Sequence, residues 1–150
     1  TRKALPSDYF KAPFANEQAA RASNNGAYPP DLSLIIKGRK GGEDYVFALL
    51  NGYKDAPSGV TVANGMYYNE YFPGHQIGMP PPLTPDRVTY TDGTAASLAQ
   101  QAHDVVTFLA WAAEPQLEAR KRTGALAILF LVALAGILYA AKRRTWSDLH

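Results

Sequence analysis

The sequence predicts a mainly α protein: short helices and long loops with a small β hairpin, followed by one C-terminal transmembrane helix. Two observations carry this. Residues 124–141 run for eighteen residues without a charge, between Arg120-Lys121-Arg122 and Lys142-Arg143-Arg144. Ahead of them, prolines and glycines interrupt the apolar periodicity again and again, so helical patterns survive only in brief stretches.

Residues 1–15, with Pro6 and Pro13 among scattered aromatics, read as an extended arm. Asn16 offers an N-cap to Glu17-Gln18-Ala19-Ala20-Arg21-Ala22, a short helix with an acid in its first turn and Gly26 beyond its end. Pro29-Pro30-Asp31 opens a second short helix over 32–37, which puts Leu32, Ile35 and Ile36 on one side. Gly41-Gly42 breaks the chain again. A third helix over 43–51 carries Val46, Phe47, Leu49 and Leu50, and Gly52 suits its C′ position.

Residues 53–90 turn irregular, with Pro57, Gly59, Gly65, Gly74 and Gly78 breaking every run. Residues 60–62 and 66–68 are expected to pair as a hairpin around Ala63-Asn64-Gly65, and residues 87–91 to form another short strand. A structureless stretch of this length needs something else to organise it, and a large flat cofactor would serve. Helix resumes after Asp92-Gly93-Thr94, where Val105, Val106, Phe108, Leu109 and Trp111 predict a wide apolar face. Glu114-Pro115 marks a bend, and residues 116–145 read as one long helix. The expected division is a domain over 1–115, an anchor helix over 116–145 with its apolar core at 124–141, and a short tail over 146–150.

At ~1.5 Å per residue the uncharged run makes roughly 27 Å of helix, slightly short of a bilayer core until the basic flanks snorkel. A buried helix of a soluble protein is the competing reading. Basic triplets at both ends and Trp146 at interface depth favour a span. Three Lys/Arg on each side leave the charge-bias rule without a vote on orientation.

At 150 residues there is room for one modest domain and a membrane segment. Cys 0 excludes disulfides and thiolate metal sites and says nothing about the compartment. The sequence begins at Thr1 with no basic, apolar, small-residue leader visible in it, the start expected of a processed or split product. The formal charge of +2 hides a polarity: residues 1–119 hold nine Lys/Arg against twelve Asp/Glu, and residues 120–150 hold six against one. Basicity belongs to the membrane flanks, so the pI of 8.8 is no argument for nucleic acid. The sequence contains no Ser/His/Asp or Cys/His set and no phosphate-binding glycine loop.

One loop carries candidate metal chemistry. In Tyr71-Phe72-Pro73-Gly74-His75-Gln76-Ile77-Gly78-Met79-Pro80-Pro81-Pro82, prolines restrict the backbone around one soft sulfur. A Met filling a gap beneath a loop is the plainer alternative. His75, His103 and His150 share no metal-ligand spacing with another His or carboxylate and are taken as non-ligands. Glu43-Asp44 could form part of a docking face for a basic redox partner, although a solvated helix start explains the pair as well.

Four blocks give this loop a context. Asn24-Asn25-Gly26-Ala27-Tyr28-Pro29-Pro30-Asp31-Leu32-Ser33 comes first, then Gly41-Gly42-Glu43-Asp44-Tyr45-Val46-Phe47-Ala48-Leu49-Leu50. Tyr71-Phe72-Pro73-Gly74 with Ile77-Gly78-Met79 and then Trp111-Ala112-Ala113-Glu114-Pro115 follow. In content and order they resemble the cytochrome c1 family, from about Ser7 to Leu149. The family's Cys-x-x-Cys-His haem-attachment motif is absent, so this chain alone cannot hold a c-type haem covalently. It resembles the C-terminal portion of the family, with the attachment motif and proximal His on a separate or missing N-terminal segment.

The resemblance implies a c-type cytochrome-like haem domain, with haem c as cofactor and Met79 as the sixth iron ligand. A thioether is a neutral, soft donor that favours Fe(II) and raises the reduction potential relative to a second His. Arg39 is implied as a propionate partner, its plain alternative being a solvated surface charge, and Tyr45 as a second donor to that group. Asn24, Ala27, Pro29, Pro30, Leu49, Leu50, Phe72, Ile77, Gly78 and Pro82 fall at positions that line the haem. For the apolar ones, ordinary core is nearly the same statement, and a turn glycine would look like Gly78.

The implied function is electron transfer in respiratory complex III, from the Rieske iron–sulfur protein to soluble cytochrome c. The chain would be a subunit of quinol–cytochrome-c reductase and itself an electron carrier without acid/base or nucleophilic groups. Cytochrome b and the N-terminal half of cytochrome c1 are the other implied partners. The implied location is the mitochondrial inner membrane with the haem domain in the intermembrane space, or a bacterial plasma membrane with the domain periplasmic. The rival function is a haemless single-pass anchor subunit, which the missing cysteines favour and the intact Met79 loop opposes.

Overall fold

A computed structural model describes residues 2, 3, 5, 7, 8 and 12–147. It is mainly helical, with one two-stranded hairpin, and divides into two units, Thr1–Ala113 and Glu114–His150. Pro6 of the expected arm, and His150 with most of the tail, lie outside the described residues.

In the first unit, α1 spans Glu17–Ser23, and the Asn16 side chain accepts the Ala19 N–H at 2.8 Å, as an N-cap should. α2 is shorter than the sequence suggests, Ile35–Gly38 in place of 32–37. Asp31 accepts the Ser33 N–H at 2.8 Å, and that local bond holds the preceding residues in a turn. α3 spans Gly42–Asn51. Its entry needs two glycines in succession, Gly41 at φ 91° and Gly42 at φ 50°, a left-handed pair that other residues adopt only with strain.

The hairpin differs from the expected one. β1 (Tyr67–Tyr68) pairs antiparallel with β2 (Gln76–Ile77), in the register Tyr67 to Ile77 and Tyr68 to Gln76. Residues 60–62 form no strand; the Gln76 side chain holds them instead. Its Oε1 accepts the Ala63 N–H at 3.0 Å and its Nε2 donates to the Thr61 carbonyl at 3.3 Å, so one amide replaces a ladder. Residues 87–91 form no strand either: Asp86 takes φ 59° and donates its N–H to the Ala96 carbonyl, which closes a loop.

α4 spans Leu98–Ala113, four residues later than Thr94. Its buried stripe is Gln101, Ala102, Val106, Leu109 and Ala113; Val105, Phe108 and Trp111 are exposed, so the wide apolar face shrinks to a narrow one. Val46 and Leu50 of α3 meet Ala102, Val106 and Leu109 of α4 in the core, with Ile35, Ile36, Tyr45 and Leu83 packed around them. Buried Gln101 donates to the carbonyls of Thr84 and Ala96, which fastens the long loop to this helix.

In the second unit, α5 spans Leu117–Thr145, and Arg120 forms a forked pair with Glu114 at 2.8 and 3.0 Å. α5 is long and apolar enough to cross a membrane, and its apolar window is wholly exposed. Its last turn carries Lys142, Arg143 and Arg144, cations that suit a helix C-terminus.

Gly52 caps α3 at φ −89°, so the left-handed C′ role expected of it does not apply. Space explains the glycine: an added Cβ would stand 2.6 Å from a Tyr71 ring carbon, 2.9 Å from Asn69 Oδ1 and 3.0 Å from the Ala48 carbonyl. Gly52→Ala is expected to cost about 1–3 kcal/mol, the range for overpacking. Gly38→Ala, which meets nothing within 4 Å, should change stability by less than about 0.5 kcal/mol. Denaturant unfolding of the two variants measures the contrast.

Candidate functional site

Four of the expected site residues, Ala27, Ile77, Gly78 and Met79, lie at or against the loop that follows β2. Ile77 is buried and paired with Tyr67, and Gly78 turns the chain against Ala27, whose Cβ lies 3.7 Å from where a Gly78 Cβ would stand. The Met66 sulfur is equally close to that point. The 24–30 segment and the Met79 loop, fifty residues apart in sequence, are therefore neighbours. Met79 itself is 38% exposed, so the residue is not packed into the core.

Two side chains that the sequence reading missed set the loop's backbone. Tyr53, just past the end of α3, donates its hydroxyl to the Met79 carbonyl at 3.1 Å. Burial pushes the Tyr53 pKa up to about 12, so the phenol remains a donor throughout the physiological range. Asn69 is wholly buried and acts as a hub. Its Nδ2 donates to the Leu49 carbonyl at 2.8 Å, and its Oδ1 accepts the N–H groups of Tyr71 at 3.0 Å and Phe72 at 3.2 Å. Its backbone N–H donates to the His75 carbonyl at 3.0 Å and its carbonyl lies 3.3 Å from His75 Nδ1. The available signal was an Asn among aromatics at Tyr67-Tyr68-Asn69-Glu70-Tyr71-Phe72, but no periodicity marks an asparagine as buried.

Arg39, Tyr45 and Phe72 line one cleft of about 390 Å³ with Lys40 and Pro73. The Gly41-Gly42 reversal sets Arg39, at the end of α2, beside Tyr45 in the first turns of α3, and the Arg39 guanidinium donates to its neighbour, the Gly38 carbonyl, at 3.0 Å. Two cations over an otherwise uncharged lining make this cleft a place for an anionic group.

The remaining expected residues are distributed as follows. Asn24 ends α1, where its side chain donates to the Ala20 carbonyl at 2.7 Å. Pro29 and Pro30 are exposed on the segment from α1 to α2, beyond Tyr28, whose ring lies beneath the Arg21 guanidinium. Leu49 offers its carbonyl to Asn69, and Leu50 is buried between α3 and α4. Pro82 is exposed. His75 stacks on Tyr68 with ring centroids 5.8 Å apart, and His103 is exposed with Nδ1 3.7 Å from Asp104. Glu43 and Asp44 are exposed in the first turn of α3.

The donor set suits haem. One thioether, on a residue not packed into the core, stands on an anchored loop, and a guanidinium and a phenol share a second feature built from the neighbouring elements. Among the described residues no group of three His, Asp or Glu could hold a hard metal ion.

The chain matches the cytochrome C1 family over residues 1–149. It belongs to the cytochrome c1 family. It is 49% identical to cytochrome c1 of Rhodospirillum rubrum, over 99% of this chain and 60% of that protein. It is 53% identical to "Cytochrome c1 1, heme protein, mitochondrial" of Arabidopsis thaliana, over 99% of this chain and 48% of that one. It is 51% identical to "Cytochrome b-c1 complex catalytic subunit, mitochondrial" of Candida albicans, over 95% of this chain and 50% of that subunit. The chain spans about half the length of the curated relatives it matches.

Asn69→Ala removes the acceptor of the Tyr71 and Phe72 N–H groups and one of two donors to the Leu49 carbonyl, whose other donor is the Gly52 N–H, and is expected to cost about 1–3 kcal/mol. Amide hydrogen exchange should report it locally, with Tyr71 and Phe72 losing protection before the α3–α4 core does.

Proposed function

We propose that this chain is the membrane-anchored C-terminal part of a cytochrome c1, an electron-transfer subunit of a respiratory cytochrome b–c1 complex in which Met79 is the axial ligand of haem c. The observation that carries the reading is the anchored Met79, not packed into the core, on a loop that abuts Ala27. Family membership over nearly the whole chain supports it. Covalent attachment and the proximal His are assigned to an N-terminal segment, since this chain has no Cys.

The chain's own residues have five tasks. Met79 presents its sulfur lone pair, Arg39 with Tyr45 takes propionates in the cleft, and Ala27, Leu49, Phe72, Ile77 and Gly78 wall the site. Leu50 braces that wall through the α3–α4 core, while Asn24, Pro29, Pro30 and Pro82 close its polar and outer margins. An apolar wall excludes water and, with the neutral sulfur, holds the potential up. Haem, when bound, supplies the one-electron chemistry between Fe(III) and Fe(II).

The proposed route runs from the Rieske iron–sulfur protein to soluble cytochrome c, with cytochrome b and the N-terminal half of cytochrome c1 as stable partners. α5 tethers the domain beside its donor, which replaces diffusion by a high local concentration. The domain over 1–115 faces the intermembrane space of a mitochondrion, or the periplasm of a bacterium, and the tail after α5 faces the matrix or cytoplasm.

In the assembled complex, Met79→Leu should lower the haem midpoint potential by on the order of 0.1 V, within the ~0.8 V that axial ligands span. A redox titration of the variant tests this, and an unchanged potential removes Met79 from the role. A purified complex whose reduced-minus-oxidised spectrum shows no c-type haem co-purifying with this chain favours the anchor reading instead. Protease added to the haem-domain side should leave the tail after α5 intact; clipping of that tail reverses the assigned orientation.

A further inference from the structure

The backbone around the candidate ligand is poor in anchors. Pro80, Pro81 and Pro82 carry no N–H, so the chain after Met79 cannot tie itself down by donating backbone hydrogen bonds. Proline at position 80 also disfavours helical geometry at Met79, and no regular ladder continues past Ile77. The Met79 carbonyl can still accept a tether, and the Tyr53 hydroxyl reaches it across twenty-six residues of sequence.

Tyr53 is well placed to bear that load. It follows Gly52, which is closed in by Ala48, Asn69 and Tyr71, and its backbone bridges Asn69 antiparallel to it. Asn69 in turn holds the end of α3 through the Leu49 carbonyl. The phenol therefore stands on a fixed base, while the loop it holds has few backbone donors with which to fasten itself.

We propose that Tyr53 is a positioning residue that fixes the Met79 thioether toward its metal through the hydrogen bond from its hydroxyl to the Met79 carbonyl. The assignment rests on the reading of Met79 as an iron ligand. By engaging the main chain, Tyr53 leaves the sulfur lone pairs free for the iron. A thioether is a weak, neutral donor that leaves iron easily, so the cost of holding it in place falls on the surrounding chain. The bond pre-organises the loop, and its loss lets Met79 spend more time away from the iron.

The test uses haem-loaded cytochrome c1 in its assembled membrane complex, with imidazole titrated against the ferric haem. Imidazole competes with the thioether for the sixth position, so its apparent Kd reads how firmly Met79 is held. Tyr53→Phe keeps the ring and removes only the hydroxyl. Its apparent Kd for imidazole should fall about three- to tenfold, the span that one net hydrogen bond commands, with haem content unchanged. Met79→Leu should lower the Kd much further, and Y53F/M79L should match M79L, because no thioether remains to be positioned.

Equal imidazole affinity in Tyr53→Phe and the parent, with Met79→Leu strongly shifted, overturns the role of Tyr53 and leaves the ligand assignment standing. An additive double variant also overturns it, since a general loosening of the fold would act whether or not the sulfur is there. Equal affinity in Met79→Leu and the parent overturns the ligand assignment itself, and the proposal with it.

Discussion

The buried Asn69 side chain is the constraint from which the rest of the first unit's site follows. One amide, with no access to water, joins the last turn of α3 to the two residues that begin the Met79 loop. Burying an amide is tolerated only when its donors and acceptors are met, so its partners are held in one arrangement. Gly52 is required by the same packing, because any side chain there would strike Asn69 and Tyr71. The two-residue strands are too short to hold a loop alone, and the hub supplies what a longer ladder would.

The long loops repeat this solution. Gln76 satisfies Thr61 and Ala63, Gln101 satisfies Thr84 and Ala96, and Asp31 and Asp92 each accept an N–H two residues on. Backbone groups that regular structure would pair are paired by side chains instead. Hydrophobic burial is concentrated elsewhere, in the α3–α4 contact with α2 packed beside it. The domain thus separates its functions: a small apolar core for stability, and polar side-chain bonds for the shape of the site. Val105, Phe108 and Trp111 stay exposed on α4, so that helix contributes to the core through a stripe rather than a face.

Legibility in the sequence divides along similar lines. The capped first helix was readable because Asn16 acts on residues three positions away, and α5 because an eighteen-residue uncharged run between basic triplets has few alternatives. Element starts were less readable, as α2 and α4 both begin later than their apolar patterns suggest. Local Asx turns at Asp31 and Asp92 compete with helix there, and their strength depends on neighbours. The hairpin was mispaired because Ala63-Asn64-Gly65 makes a turn without strands to match, while the true partner of β1 lies beyond seven intervening residues.

Met79, Arg39 and Tyr45 stood out through the family resemblance; locally Met79 was a soft sulfur beside a proline run, and Arg39 read equally well as a solvated charge. Helix content, the apolar span and the inventory of donor groups are properties of residues and near neighbours, so the linear order suffices to settle them. Tyr53 and Asn69 act on partners up to twenty-six residues away, and nothing about a tyrosine or an asparagine announces which distant carbonyl it will meet. Those pairings were decided by folding, because a side-chain hydrogen bond selects its partner by distance in space and by the exclusion of water.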